Sequence, residues 1–137
     1  METDLKKMLK KHEGFKGKPY TDTVGKLTIG YGRNLTDNGI SKEEAEIMLQ
    51  NDINTAKQEL LKVVPNILTL SPARQAVLID MMVNLGATKF KKFKKLLAAI
   101  QKEDFKEAAK EMLDSQWAIQ VGQRAKELSA LMTKGHF

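Results

Sequence analysis

A chain of 137 residues, 42% hydrophobic and 29% charged, is long enough for one domain with its own core and too apolar to be disordered. It has no cysteine, which excludes disulfides and thiolate chemistry, and its two histidines, His12 and His136, are too few for a typical zinc centre. A net charge of +6 favours a polyanionic partner: nucleic acid, an anionic membrane or an acidic cell-wall polymer.

The amino-terminal run Met1-Glu2-Thr3-Asp4-Leu5-Lys6-Lys7 has neither an apolar core nor a small-residue cleavage site. No secretory signal is therefore expected, and the protein is expected to stay in the cytoplasm where it is made. Asp4 is predicted to cap a first helix with Leu5, Met8 and Leu9 on one face. Gly14 is its natural stop, which leaves Glu13 at the carboxyl end, where the helix dipole disfavours negative charge.

From Phe15 to Ile40 the helical period is lost. Gly14, Gly17, Gly25, Gly30, Gly32, Gly39 and Pro19 punctuate the segment, and Leu27–Tyr31 alternates like a short strand. Thr23–Lys26 reads as the turn of a small hairpin. Ser41-Lys42-Glu43-Glu44 is a capping box opening a helix with Ala45, Met48, Leu49, Ile53, Ala56 and Leu60 on one stripe, ending before Pro65. It is long enough to connect a small lobe to a larger one.

Ser71-Pro72 starts another helix, apolar nearly all round and so expected at the centre of a bundle, with Gly86 as its stop. Its apolar run from Ala76 to Leu85 is broken by Asp80 and Asn84 and falls far short of the roughly 20 residues of a membrane span. Further helices are expected at Phe90–Gln101, at Asp104–Leu113 with Asp104 as cap, and from Gln116 to Met132 with a break near Gly122. Trp117 is assigned to the core, and the cluster Lys89, Lys91, Lys92, Lys94, Lys95 reads as a solvated helix face. The predicted class is α+β, mostly α. One domain spans residues 1–137, with a small β-hairpin lobe at about 14–40 and a helical lobe from 1–13 and 41–137.

Chemistry concentrates in the irregular stretch. If the chain folds back at Gly14–Pro19 and at Gly25, Glu13 and Asp22 face each other with the Thr28 hydroxyl between. Glycosidic cleavage asks for such a pair, one acid for the leaving oxygen and one base for water or the anomeric carbon. Each residue also has a plain explanation: a helix-ending glutamate in solvent, an Asx-turn aspartate and a strand threonine. On residue chemistry alone the two readings stand level.

Glu13-Gly14, Tyr20-Thr21-Asp22, Gly25 and Thr28-Ile29-Gly30-Tyr31-Gly32 resemble the phage-type lysozymes, the T-even-like muramidases of glycoside hydrolase family 24. Arg74–Ile79 with Val83-Asn84-Leu85-Gly86 resembles that family's buried central helix, and Ser115-Gln116-Trp117 with Gln123-Arg124-Ala125 its carboxyl-terminal segment. The likeness spans almost the whole chain in the right order.

The resemblance implies a lysozyme-like fold and an endolysin that hydrolyses the β-1,4 bond between N-acetylmuramic acid and N-acetylglucosamine. Glu13 would be the general acid, while Asp22 and Thr28 hold and activate water on the opposite face, giving inversion. Arg124 matches the arginine that pairs with the catalytic glutamate, and Asn84 and Tyr31 are assigned to substrate binding. Peptidoglycan is the implied partner, with no nucleic acid, no integral membrane segment, no metal and no cofactor. The protein would be a monomer that depends on a holin to reach the wall from the host bacterial cytoplasm. Among the departures from the family, Arg33 sits where relatives have histidine, and the connection from Arg33 to Ser41 is short.

Three rival readings remain. A lytic transglycosylase would cut the same bond with a single acid and leave an anhydro end. A non-catalytic glycan-binding relative would keep only the groove. A basic nucleic-acid-binding module would need arginines and aromatics along a groove, whereas the basic residues here are mostly scattered lysines.

Overall fold

Thr3, rather than Asp4, caps helix α1 (Asp4–Glu13) in the computed structural model, which describes every residue from Met1 to Phe137. Its Oγ1 accepts from the Lys6 amide at 3.2 Å. Either side chain could satisfy an orphan amide, and with Thr3 in that role Asp4 moves into the first turn, where its charge meets the positive end of the dipole. Gly14 ends the helix as expected, at φ +70°, with its N–H on the Lys10 carbonyl at 2.9 Å.

The chain divides into two compact units, Met1–Ile47 and Met48–Phe137. In the first, α1 is followed by β1 (Lys16–Thr21), β2 (Leu27–Gly30) and β3 (Arg33–Asn34), then a single helical turn, α2 (Leu35–Asn38). The sheet is antiparallel in the order β1-β2-β3. Tyr20 lies opposite Thr28 and Thr21 opposite Leu27, with an irregular stretch between Lys16 and Tyr20 that contains Gly17 and Pro19. Proline has no amide for the ladder, so a break in register belongs there. The sequence indicates a hairpin; β3 adds a third strand, pairing Arg33 with Ile29 and Asn34 with Thr28. Two residues are too few to show a period.

Helix α3 (Lys42–Val63) begins in the first unit and continues into the second. The capping box forms as read: Ser41 Oγ accepts from the Glu44 amide at 3.1 Å, and Glu44 Oε1 accepts from the Ser41 amide at 2.9 Å. Of its apolar stripe, Ala56 and Leu60 are buried, whereas Met48 and Leu49 are exposed.

The second unit is helical throughout. After a 3-10 turn at Ile67–Thr69 come α4 (Pro72–Leu85), α5 (Ala87–Phe90), α6 (Lys94–Gln101), α7 (Phe105–Leu113), α8 (Gln116–Val121) and α9 (Gln123–Lys134). Ser71 and Asp104 cap α4 and α7 as expected, and Gly122 (φ +57°) separates α8 from α9. Helix α4 supplies the centre: Val77, Leu78 and Met81 are fully buried, among Leu60, Val64, Phe90, Leu96, Ile100, Met112 and Met132. The helix expected at Phe90–Gln101 is instead two, since residues 91–93 leave the helical path. Lysines at 91, 92, 94 and 95 would stack like charges at three- and four-residue spacings, which weakens a continuous helix there. All five lysines of the cluster are exposed, as a solvated face should be.

Arg74 ties the end of the chain to α4. Its Nε donates to the Met132 carbonyl at 2.8 Å and its Nη2 to the Thr133 carbonyl at 3.0 Å. The guanidinium lies 3.6 Å above the Phe105 ring centre. A cation thus satisfies carbonyls at the negative end of α9 while stacking on an aromatic face.

Candidate active site

Glu13 is the last residue of α1 and is exposed. Its carboxylate rests against the α-carbon of Gly32, so closely that a Cβ at position 32 would fall 2.5 Å from Oε2. Gly32 also has φ +78°, a conformation that only glycine adopts readily. The turn between β2 and β3 is therefore shaped to receive this carboxylate.

Asp22 does what the plain reading asks of it. Its Oδ1 accepts from the amides of Val24 at 3.0 Å and Lys26 at 2.8 Å, and its carbonyl accepts from the Gly25 amide at 3.1 Å. One carboxylate oxygen thus builds the β1–β2 turn, while Oδ2 takes part in no hydrogen bond of this unit. Thr28, on the central strand, is only 4% exposed and donates its hydroxyl to the Lys26 carbonyl at 3.0 Å. Its oxygen lone pairs stay available as acceptors. The Lys26 backbone holds Asp22 through its N–H and Thr28 through its C=O. That anchor is shared by both side chains, and because it is main chain, no residue type announces it.

Tyr31, beside Gly32, is 48% exposed; its ring centre lies 5.4 Å from that of Phe15, and Lys10 Nζ stands 5.4 Å from it. Asn84 belongs to the second unit, in the last turn of α4. Its Oδ1 accepts from the indole N–H of Trp117 at 2.8 Å, which leaves the amide hydrogens uncommitted. Trp117 is core, 3% exposed, with its ring edge-on to Phe93. Arg124, also in the second unit, is half exposed and gives its guanidinium to Asp80, with Nε at 2.8 Å and Nη2 at 2.7 Å from the same Oδ1. Asp80 interrupts the otherwise apolar α4, and Arg124 supplies the cation beside it.

Among the ion pairs that the sequence did not foretell, Arg33 with Glu44 is the two-pronged one. Nη1 donates to Oε1 at 2.9 Å and Nη2 to Oε2 at 2.6 Å, a two-pronged contact, and Nη1 also reaches the Gly39 carbonyl at 3.0 Å. The Arg33 hydrogen bonds hold the Glu44 carboxyl down to about 2, helped by the Ser41 amide, and Glu44 in turn raises the Arg33 guanidinium above its ordinary range.

A family model described as phage lysozyme matches residues 10–134. The chain is 29% identical to Probable T4-type lysozyme 2 of Dictyostelium discoideum, over 98% of this chain and 96% of that protein. It is 27% identical to Probable T4-type lysozyme 1 of the same organism, over the same shares. A further 27% match, to the pre-baseplate central spike protein of Enterobacteria phage T4, takes in 96% of this chain and 28% of that longer protein. The first alignment runs to 166 positions, more than the chain has residues, so that relative carries insertions this chain lacks. With matched residues running from α1 to the end of α9, the chain belongs to the phage lysozyme family and is a glycoside hydrolase with lysozyme activity.

Proposed function

We propose that the protein hydrolyses the β-1,4 bond between N-acetylmuramic acid and N-acetylglucosamine in bacterial peptidoglycan, with inversion at the anomeric carbon. The observation that supports this reading is the shared Lys26 anchor: Asp22 and Thr28 both bond to its main chain, and Asp22 Oδ2 is left unbonded. Glu13 gives its proton to the glycosidic oxygen. A water offers one hydrogen to Asp22 Oδ2 and the other to Thr28 Oγ1, whose own hydrogen is already committed to Lys26. Both water hydrogens are then occupied, and an oxygen lone pair is left for the anomeric carbon. As the bond breaks, Asp22 takes the water's proton, and the charge that developed on the sugar is quenched by the new C–O bond. Tyr31 offers an exposed ring face to a sugar.

Glu13→Gln keeps the size of the side chain and removes the proton. Clearing of purified peptidoglycan should fall by roughly 10²- to 10⁴-fold with the circular dichroism spectrum unchanged. Full activity in that variant would falsify the assignment. Mass analysis of the products addresses the transglycosylase alternative: hydrolysis leaves a reducing muramic end, whereas an anhydro end would make the Asp22–Thr28 water site idle.

A further inference from the structure

We infer that Arg33 and Glu44 are positioning residues, a clamp that fixes the Gly32 turn on which the Glu13 carboxylate rests. The inference builds on Glu13 as the general acid and names what steadies it. The contacts run without a gap: Glu44 at the start of α3, the guanidinium of Arg33 on β3, the adjoining Gly32, and the Glu13 carboxylate against its α-carbon.

Backbone pairing alone gives this turn little support. Strand β3 has two residues, paired only at Ile29–Arg33 and Thr28–Asn34, and so short an edge frays readily. Arg33 adds what the ladder lacks. Its planar fork engages both oxygens of Glu44 and, through Gly39, also the far end of α2. It therefore ties down both ends of the segment between β3 and α3. Glu44 is itself held by the Ser41 amide, so the clamp is seated on a fixed helix start rather than on a free side chain. A histidine at position 33 could offer neither five donors nor a planar fork.

Both partners are 41% exposed, and an exposed ion pair adds little to global stability. Its value here is local geometry, because a general acid displaced by about 1 Å can lose on the order of 10²-fold in rate. A purely structural pair and a positioning pair thus predict different measurements.

The test uses Arg33→Met, Arg33→Lys and Glu44→Gln in the full chain. Lysine keeps the charge but not the fork, and glutamine keeps the capping-box acceptor but not the charge. Steady-state kinetics on a soluble muramic acid–glucosamine glycan, well below the unfolding temperature, should show kcat reduced about 10- to 100-fold in all three with KM within about twofold. The amide signal of Gly32 and the side-chain carboxyl signal of Glu13 should move together in NMR spectra. Wild-type kcat in Arg33→Lys and Arg33→Met, or unmoved Gly32 and Glu13 signals, overturns the clamp. If the unmodified protein leaves the glycan intact, the muramidase reading fails instead, and the NMR comparison still decides the clamp. Should Arg33→Met not fold, the two milder variants carry the same measurements.

Discussion

Gly32 meets two demands that no other residue meets together: a positive φ, and no side-chain atom where the Glu13 carboxylate lies. Gly32→Ala should therefore destabilise the protein by about 1–2 kcal/mol through the left-handed backbone alone. It should also reduce lysis further than that loss explains, measured as kcat on folded protein; a variant with lowered melting temperature and unchanged kcat would separate turn from site. At this scale the sequence was ambiguous for a physical reason. Asp22 is both a turn former and a free carboxylate oxygen, and Thr28 is both a strand residue and a committed hydroxyl. The plain and the chemical readings are true of different atoms of one side chain, and a residue name does not distinguish its atoms.

Elements were legible where local chemistry settles them. The Ser41–Glu44 box, the caps at Ser71 and Asp104, and the stops at Gly14, Gly86 and Gly122 all act within one helical turn. The misses were the cap of α1, which is Thr3 and not Asp4, then β3 and α2, too short for a period, and the break at 91–93, where like charges outweigh helix-forming residues. The Arg33–Glu44 pair joins a strand to a helix and has no local signature, yet it has a measurable titration. Because the folded carboxyl titrates near 2, its stabilising effect is complete above the unfolded value of about 4.3 and is lost as pH falls through the folded one. The melting temperatures of wild type and Glu44→Gln should differ by a small constant amount from neutral pH to about pH 5, then converge toward pH 2. A gap that persists at pH 2 would mean that the glutamine variant is disturbed for another reason.

For the molecule as a whole, the order of helices follows from periodicity, while the exact position of the division at Ile47/Met48 has no mark in the sequence. It falls inside α3, where the helical pattern runs on without a linker. The excess of positive charge belongs to this scale too. With 23 lysines and arginines against 17 acids, approach to an anionic wall should be electrostatically favoured. Raising ionic strength to about 1 M cuts the screening length to roughly 3 Å, so turbidity clearing of the wall should slow more than hydrolysis of a short soluble glycan that carries few charges. Equal salt dependence on both substrates would remove charge from the account of wall binding.

The tie from Arg74 to the carbonyls of Met132 and Thr133 also bears on how the protein is made. The guanidinium is presented on the helix at the centre of the second unit, and its acceptors lie 58 and 59 residues further along the chain, so they are synthesised later. Helix α9 packs on both α4 and α7. Until it is made, α4 lacks the part of its cover that α9 supplies, and Arg74 has no carbonyls to hold. Closure of the second unit therefore waits on α9, and a chain cut short of residue 132 should bind a hydrophobic dye that the full chain does not.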